Sequence, residues 1–325
     1  MPVYNAASYV AEALESILNQ TYRDFEFLII DDGSTDQSSQ IISSYDDPRI
    51  RFHTNDQNLG ITRTLNNGLD LASGEYIVRM DADDISLPNR LERQVAFMDS
   101  NPDMGACGTW VETFGESVGV WRYPVAPEDV RAHLLFHNAL AHPAACFRRQ
   151  AFIEKGLRYD EQYLHAEDFQ FWQRASEFFP IANIAEVLLK YNIHPKSISQ
   201  TKQDEQAQTL RRIDKESLNR LGINASDAEL DLHRCLGNGG EELKIVLLDE
   251  VERWLQRILV ANDAAHHYSK KALQRVCGDL WLQACWIKDG RITSRFLRSS
   301  LSRNLGLRKR VVFTLRYCRS FLKVS

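Results

Sequence analysis

From Met1 to Arg90 the apolar positions switch repeatedly between strand-like and helix-like spacing. Met1 to Tyr4 has the pattern of the closing residues of a strand. Val10, Leu14, Ile17 and Leu18 then recur at helical spacing and predict a helix from about Ala6. Phe25 to Ile30 is a near-continuous apolar run, as expected of a strand buried on both faces. Ile41 and Ile42 mark a second helix, capped by Ser34, Thr35 or Asp36. Arg49 to Thr54 reads as a strand, and Ile61, Leu65 and Leu69 line a helix after the Asn58-Leu59-Gly60 turn. Tyr76 to Met80 is again short, mostly apolar and strand-like, set off by Gly74. Strict alternation of strands and helices predicts an α/β fold with a parallel sheet covered on both faces.

Further on, Leu91, Val95 and Met98 give a helix ending near Asn101-Pro102, Gly105 to Phe114 a strand, and Pro127 to Phe136 a helix. The character changes after Gln200. A polar helical stretch runs from Gln203 to Leu221, and breaks at 222–226 and 237–240 set off a helical piece. Leu243, Leu247, Val251, Trp254 and Ile258 make one apolar stripe, and Leu273, Val276 and Leu280 another, both read as packing faces. The expected division is an α/β domain over 1–202 and a helical C-terminal region over 203–325.

Charge adds one feature to this picture. The chain of 325 residues has a net charge of -5, yet ten of its 39 basic residues lie between Arg291 and Ser325, which has no Asp or Glu. Val311, Leu315, Cys318 and Leu322 sit at helical spacing among Arg308, Lys309, Arg310, Arg316, Arg319 and Lys323. That is the composition of an interfacial helix, and it predicts contact with an anionic membrane surface. A basic tail also suits RNA, but no nucleic-acid motif accompanies it. Six scattered cysteines without a C-x-x-C pair argue against a zinc site and a disulfide scaffold, and a reducing cytoplasm is the expected home. No apolar run approaches the ~18 residues of a spanning helix, and no signal peptide is visible.

The candidate chemistry lies where strands end. Phe25–Ile30 runs into Asp31-Asp32-Gly33-Ser34, and Tyr76–Met80 runs into Asp81-Ala82-Asp83-Asp84. In parallel sheets ligands collect at the strands' carboxyl ends. Three acids this close repel one another unless something positive sits among them. A hard divalent cation with a phosphate ligand fits, since Mg²⁺ takes one or two carboxylates plus phosphate oxygens. Taken alone, the same acids also fit a solvated turn that caps the next helix.

Several segments together resemble the inverting glycosyltransferases of family 2. They are PVYN at 2–5, SILNQTYRDFEFLIIDDGSTD at 16–36, NLG at 58–60, NNG at 66–68, GEYIVRMDADD at 74–84 and P-x-R-L-E-x-Q at 88–94. The likeness covers roughly residues 1–200 and implies a GT-A type, Rossmann-like, mostly parallel sheet. It implies Tyr4 stacking on the nucleotide base, Asp32 accepting a hydrogen bond from it, Asp81 facing the ribose and Asp83 binding Mg²⁺ or Mn²⁺. His142 opens a segment similar to H-P-x-x-x-F-R-R near the acceptor side, where the alternative is a bond to a loop carbonyl. Glu167 and Asp168 match the E-D motif. Asp168 then falls on the catalytic base and Glu167 on a group orienting the loop or acceptor; the alternative is a plain helix cap. The 191–199 segment looks like Y-R-x-H-x-x-S-x-S, which puts His194 at the metal or diphosphate, with Asn192 in place of the usual Arg.

The resemblance implies transfer of a sugar from a nucleotide-sugar, a UDP-sugar by preference, to a hydroxyl of a glycan or lipid-linked acceptor, with inversion. Met1 falls at an internal position of the family's first strand, so the expectation is a natural start upstream or a truncated copy. That keeps open a non-catalytic member that binds nucleotide-sugar or scaffolds a complex. A sugar nucleotidyltransferase would want a Gly-rich basic loop near the N-terminus, and a phosphatase built on D-x-D would want Thr and Lys helpers; neither is visible.

Overall fold

A computed structural model describes residues 1–195, 202–239, 241–289 and 294–304. They divide into two compact units, one of residues 1–130 and 138–207, the other of 131–137 and 208 onward. The basic helix expected around 308–323 lies outside the described residues.

The first unit begins with three parallel strands in the order β1 (Pro2–Val3), β2 (Phe27–Asp31), β3 (Ile50–Thr54). Helices α1 (Val10–Leu18), α2 (Ser38–Ser43) and α3 (Ile61–Leu71) make the connections. The apolar face of α1 (Val10, Leu14, Ile17) packs with Val3, Ile29 and Ile42 into one core. Gln20 carries no apolar surface but is fully buried: its side-chain amide donates to Ser16 O and Leu87 O and accepts from the Leu91 N–H. This fastens the end of α1 to the start of α4 (Arg90–Ser100).

A second, mixed sheet has the order β4 (Tyr76–Val78), β8 (Cys146–Arg148), β6 (Ala106–Gly115), β9 (Ile181–Ile193), β5 (Ile85–Ser86), with β7 (Gly119–Trp121) beside β6. Only β6 and β9 are parallel in it. The strand before Asp81 therefore departs from the expected parallel pairing: Tyr76–Val78 runs antiparallel to Cys146–Arg148. Across this pairing the Arg148 guanidinium lies 5.2 Å over the Tyr76 ring and donates to the Tyr76 hydroxyl at 3.0 Å, which supports the register.

β1 is only two residues long. The Met1 amine donates to Leu28 O at 2.8 Å, and burial drives its pKa down to about 5. A cavity of about 520 Å³ is lined by Met1 and Leu28 on one side and Tyr76 and Val78 on the other. None of the candidate site carboxylates lines it.

Between the sheets' strands lie α5 (Pro127–His133), α6 (Arg149–Glu154) and α7 (Glu167–Phe178). α8 (Gln203–Arg220) leads on, and the second unit continues with α9 (Asp227–Asn238), α10 (Leu248–Ala265), α11 (Lys270–Asp289) and α12 (Ser294–Arg298). Trp254 and Ile258 of α10 meet Leu273, Val276 and Trp281 of α11 in its core, so both apolar stripes are packing faces except at Leu247, which precedes α10 and is exposed. α9 opens with a reciprocal capping box between Ser226 and Glu229. His233 is fully buried, stacked on Phe136, donating to Leu135 O and accepting from Trp254 Nε1–H. Burial holds it neutral, with its pKa down at about 3.

Candidate active site

The ends of β1 and β2 are laced together before any ligand is considered. Asn5 takes a positive φ of 49°, which Asn tolerates better than most residues, and its side-chain oxygen accepts from the Thr35 N–H. Ser34 Oγ accepts from the Asn5 N–H in return. Gly33 turns the chain with φ +71°, and a Cβ there would meet the Gln57 carbonyl carbon at 2.6 Å. Asp31 is wholly buried and accepts from the Ser34 N–H and the hydroxyls of Ser34 and Ser39, a structural acid. Asp32 accepts from Asn55 Nδ2, Leu59 N–H and Gly60 N–H at 2.8–2.9 Å. It thereby fixes the turn that starts α3, and Oδ2, with one donor against two at Oδ1, keeps further acceptor capacity. Tyr4 follows β1 and is 49% exposed, so it is not a core aromatic.

Asp81, Asp83 and Asp84 follow β4, with a carboxylate oxygen of each within 4.8 Å of the others. Burial and mutual repulsion raise the pKa of Asp83 and, more strongly, that of Asp84. His194, just past β9, places Nε2 2.9 Å from Asp83 Oδ2. Its ring stacks on Tyr9 with centroids 5.1 Å apart. Asp84 is buried and accepts from the Asn192 N–H, while its second oxygen has no partner among the described residues. The residue that replaces the family's Arg thus holds the acidic turn through its backbone.

Arg79 is the site residue that sequence reading passed over. It is buried at the end of the apolar strand and pairs with Asp81. Its carbonyl accepts from Arg90 Nη2 at 2.7 Å; Arg90 also donates to Gln94, whose amide donates to Ala144 O. The P-x-R-L-E-x-Q segment therefore bolts the acidic turn to the short 3-10 turn at His142–Ala144. The available signal was a lone Arg in an apolar strand two residues before the acids.

Glu167 and Asp168 open α7, where the helix dipole favours a carboxylate. Asp168 accepts from its neighbour's Phe169 N–H and from Asn138 Nδ2, each at 2.7 Å. Asn138 is a second residue without a motif signal. Glu167 is buried, and burial followed by the Asp168 charge pushes its pKa up to about 7. The Arg79 charge pulls both carboxyls down while Asp81 pushes both up, so these groups share one electrostatic field. His142 is buried and held neutral by burial and by Arg79. It stands edge-on to Tyr159 and Trp172, with no protein partner on either ring nitrogen.

A sheet rim with a cation-sized nest of acids, and a further carboxylate on a helix N-terminus within the same field, defines the class: a GT-A type transferase fold. The profile described as Glycosyl transferase family 2 matches residues 1–159. An uncharacterized glycosyltransferase of Haemophilus influenzae is 34% identical over 238 residues, 68% of this chain and 74% of that one. The O-antigen biosynthesis glycosyltransferase WbnJ of Escherichia coli is 33% identical over 61% of this chain and 79% of its own. The chain belongs to glycosyltransferase family 2. In fold it is similar to Staphylococcus aureus TarS 1-349 solved with UDP-GlcNAc, at a TM-score of 0.59, 19% identity and 89% coverage of both chains. It is also similar to the mannosyltransferase PcManGT of Pyrobaculum calidifontis solved with GDP-Man and Mn²⁺, at a TM-score of 0.54, 18% identity and 88% and 81% coverage.

Proposed function

We propose that this glycosyltransferase moves a sugar from a nucleotide-sugar, a UDP-sugar by preference, to a hydroxyl of a surface glycan or lipid-linked acceptor, with inversion at the anomeric carbon. The observation that carries the reading is the pairing of the Asp81–Asp83–Asp84 nest with Asp168 in one field around Arg79. Tyr4 offers an exposed face to the base, Asp32 an acceptor oxygen, and Asp81 the ribose contact. Asp83 and His194 would hold Mg²⁺ or Mn²⁺; a buried Asp84 oxygen without a partner among the described residues, and carboxyls raised by burial and mutual repulsion, suit a cation there. When bound, such a cation neutralises charge developing on the departing diphosphate.

Asp168 takes the proton of the acceptor hydroxyl as it attacks C1, while Asn138 and the Phe169 N–H hold the carboxylate in place. Glu167 and His142 orient the acceptor or its loop. The basic stretch 291–325 would keep the enzyme on the anionic cytoplasmic leaflet. No helix among the described residues is long and apolar enough to cross a membrane.

A panel of nucleotide-sugars with and without Mn²⁺ tests this. The expected outcome is metal-dependent donor hydrolysis that disappears in Asp83→Ala and Asp168→Ala. A folded enzyme that leaves every activated sugar intact sinks the proposal. Flotation with anionic vesicles tests the membrane contact, and unchanged binding after deletion of 291–325 would count against it.

A further inference from the structure

Trp121 is a large aromatic that the fold does not bury. It ends β7, with 42% of its surface exposed. Its ring lies 5.1 Å from that of Tyr191, reached across β6. Tyr191 is mostly buried, and after burial itself the charges of Asp81, Asp84 and Asp83 hold its phenol up. Two residues beyond Trp121, Tyr123 feels the Asp168 charge in the same way. Tyr191 directly precedes Asn192, whose N–H donates to Asp84, so the Trp121–Tyr191 pair lies on the rim of the acidic nest. An exposed indole stands on that rim.

We propose that Trp121 is an acceptor-binding residue on which a pyranose ring of the acceptor glycan stacks. The inference rests on the transferase reading above and adds the side on which the acceptor lies. A pyranose has one face of C–H groups, and a flat indole matches its size and its mixed polarity. Neighbouring strand residues point to opposite faces, so Val120 looks away from Trp121. The indole is backed by the Tyr191 ring and stands beside a polar site, a flat face that suits a single sugar.

The probes are octyl glycosides of glucose, galactose, mannose and N-acetylglucosamine below their micelle concentrations, with UDP or GDP and Mn²⁺. Saturation-transfer NMR reads sugar-ring and alkyl protons separately. We expect ring-proton signals from at least one glycoside on the wild type. They weaken about fivefold in Trp121→Ala, the loss of one aromatic contact, and largely persist in Trp121→Phe. Nucleotide signals and the thermal midpoint stay in place. Ring signals absent from the wild type, or equal in Trp121→Ala, overturn the assignment. Signals confined to the alkyl chain also overturn it and point to lipid instead. Loss of the nucleotide signals from the wild type is a separate failure, that of the transferase reading.

Discussion

The imidazole of His194 meets the carboxylate of Asp83 at 2.9 Å although 111 residues separate them, and Tyr9 stacks on the imidazole's face. A metal ligand held this way from two sides is preorganised, so its support should matter nearly as much as the ligand itself. His194→Ala should weaken Mn²⁺ binding on the order of tenfold or more, and Tyr9→Ala by less, with Tyr9→Phe close to wild type. Titration of Mn²⁺ by calorimetry checks the order of the three. Equal affinities across the series would remove His194 from the metal site.

Arg79 is a buried guanidinium paired with Asp81 and in the field of Asp84, and losing it leaves their charge uncompensated. Arg79→Met should cost about 3–5 kcal/mol of stability, the usual price of stranding a buried ionic partner. Mn²⁺ should restore part of that loss, and so should adding Asp81→Asn, since each removes negative charge. Urea denaturation of the single and double variants, with and without the cation, separates these contributions.

Glu167 carries a pH dependence whose sign is fixed by its burial. Its pKa rises from an ordinary 4.5 to about 7 in the folded state. Between those values the folded carboxyl keeps a proton that the unfolded chain has released. The associated stability is full below about pH 4.5 and is lost as pH climbs through 7. In metal-free protein, Glu167→Gln should flatten this decline by on the order of 2–3 kcal/mol across the window. Parallel pH–stability curves for the two proteins would remove the assignment.

The helical unit has its own buried pair. Arg234 Nε donates to Asp214 Oδ2 at 2.8 Å, yet burial still pushes the Asp214 pKa up to about 6. Arg234→Met should cost about 3 kcal/mol at pH 8, where the stranded carboxylate stays charged. The cost should shrink at pH 5, where Asp214 takes a proton and becomes neutral. Thermal unfolding at the two pH values reads the difference directly.

Much of this could be read from residue order because the relevant forces are local. The apolar period of Val10, Leu14 and Ile17 is what makes α1 amphipathic, and α7 begins at Glu167 where its acids suit a helix N-terminus. The D-D-G-S and D-A-D-D segments likewise announce strand ends, since clustered carboxylates are costly in the middle of a buried strand. The direction of β4 was misread, because a three-residue apolar strand looks the same whichever way its partner runs. Arg79, Asn138 and Tyr9 carried no motif of their own; Asn138 and Tyr9 each act through a neighbour distant in the chain, and Arg79 through Asp81 two residues on.

Composition and period alone thus settled the alternating helices and strands of the first ninety residues, the α/β class and the carboxylates at those strand ends, since these follow from hydrogen bonding and burial within a few residues; the long strand Ile181–Ile193 carried no such reading. Folding in three dimensions settled which groups meet: His194 with Asp83, Asn138 with Asp168, Arg90 with the Arg79 carbonyl. Electrostatic partners are chosen by distance through space, which the spacing of residues along a chain does not encode.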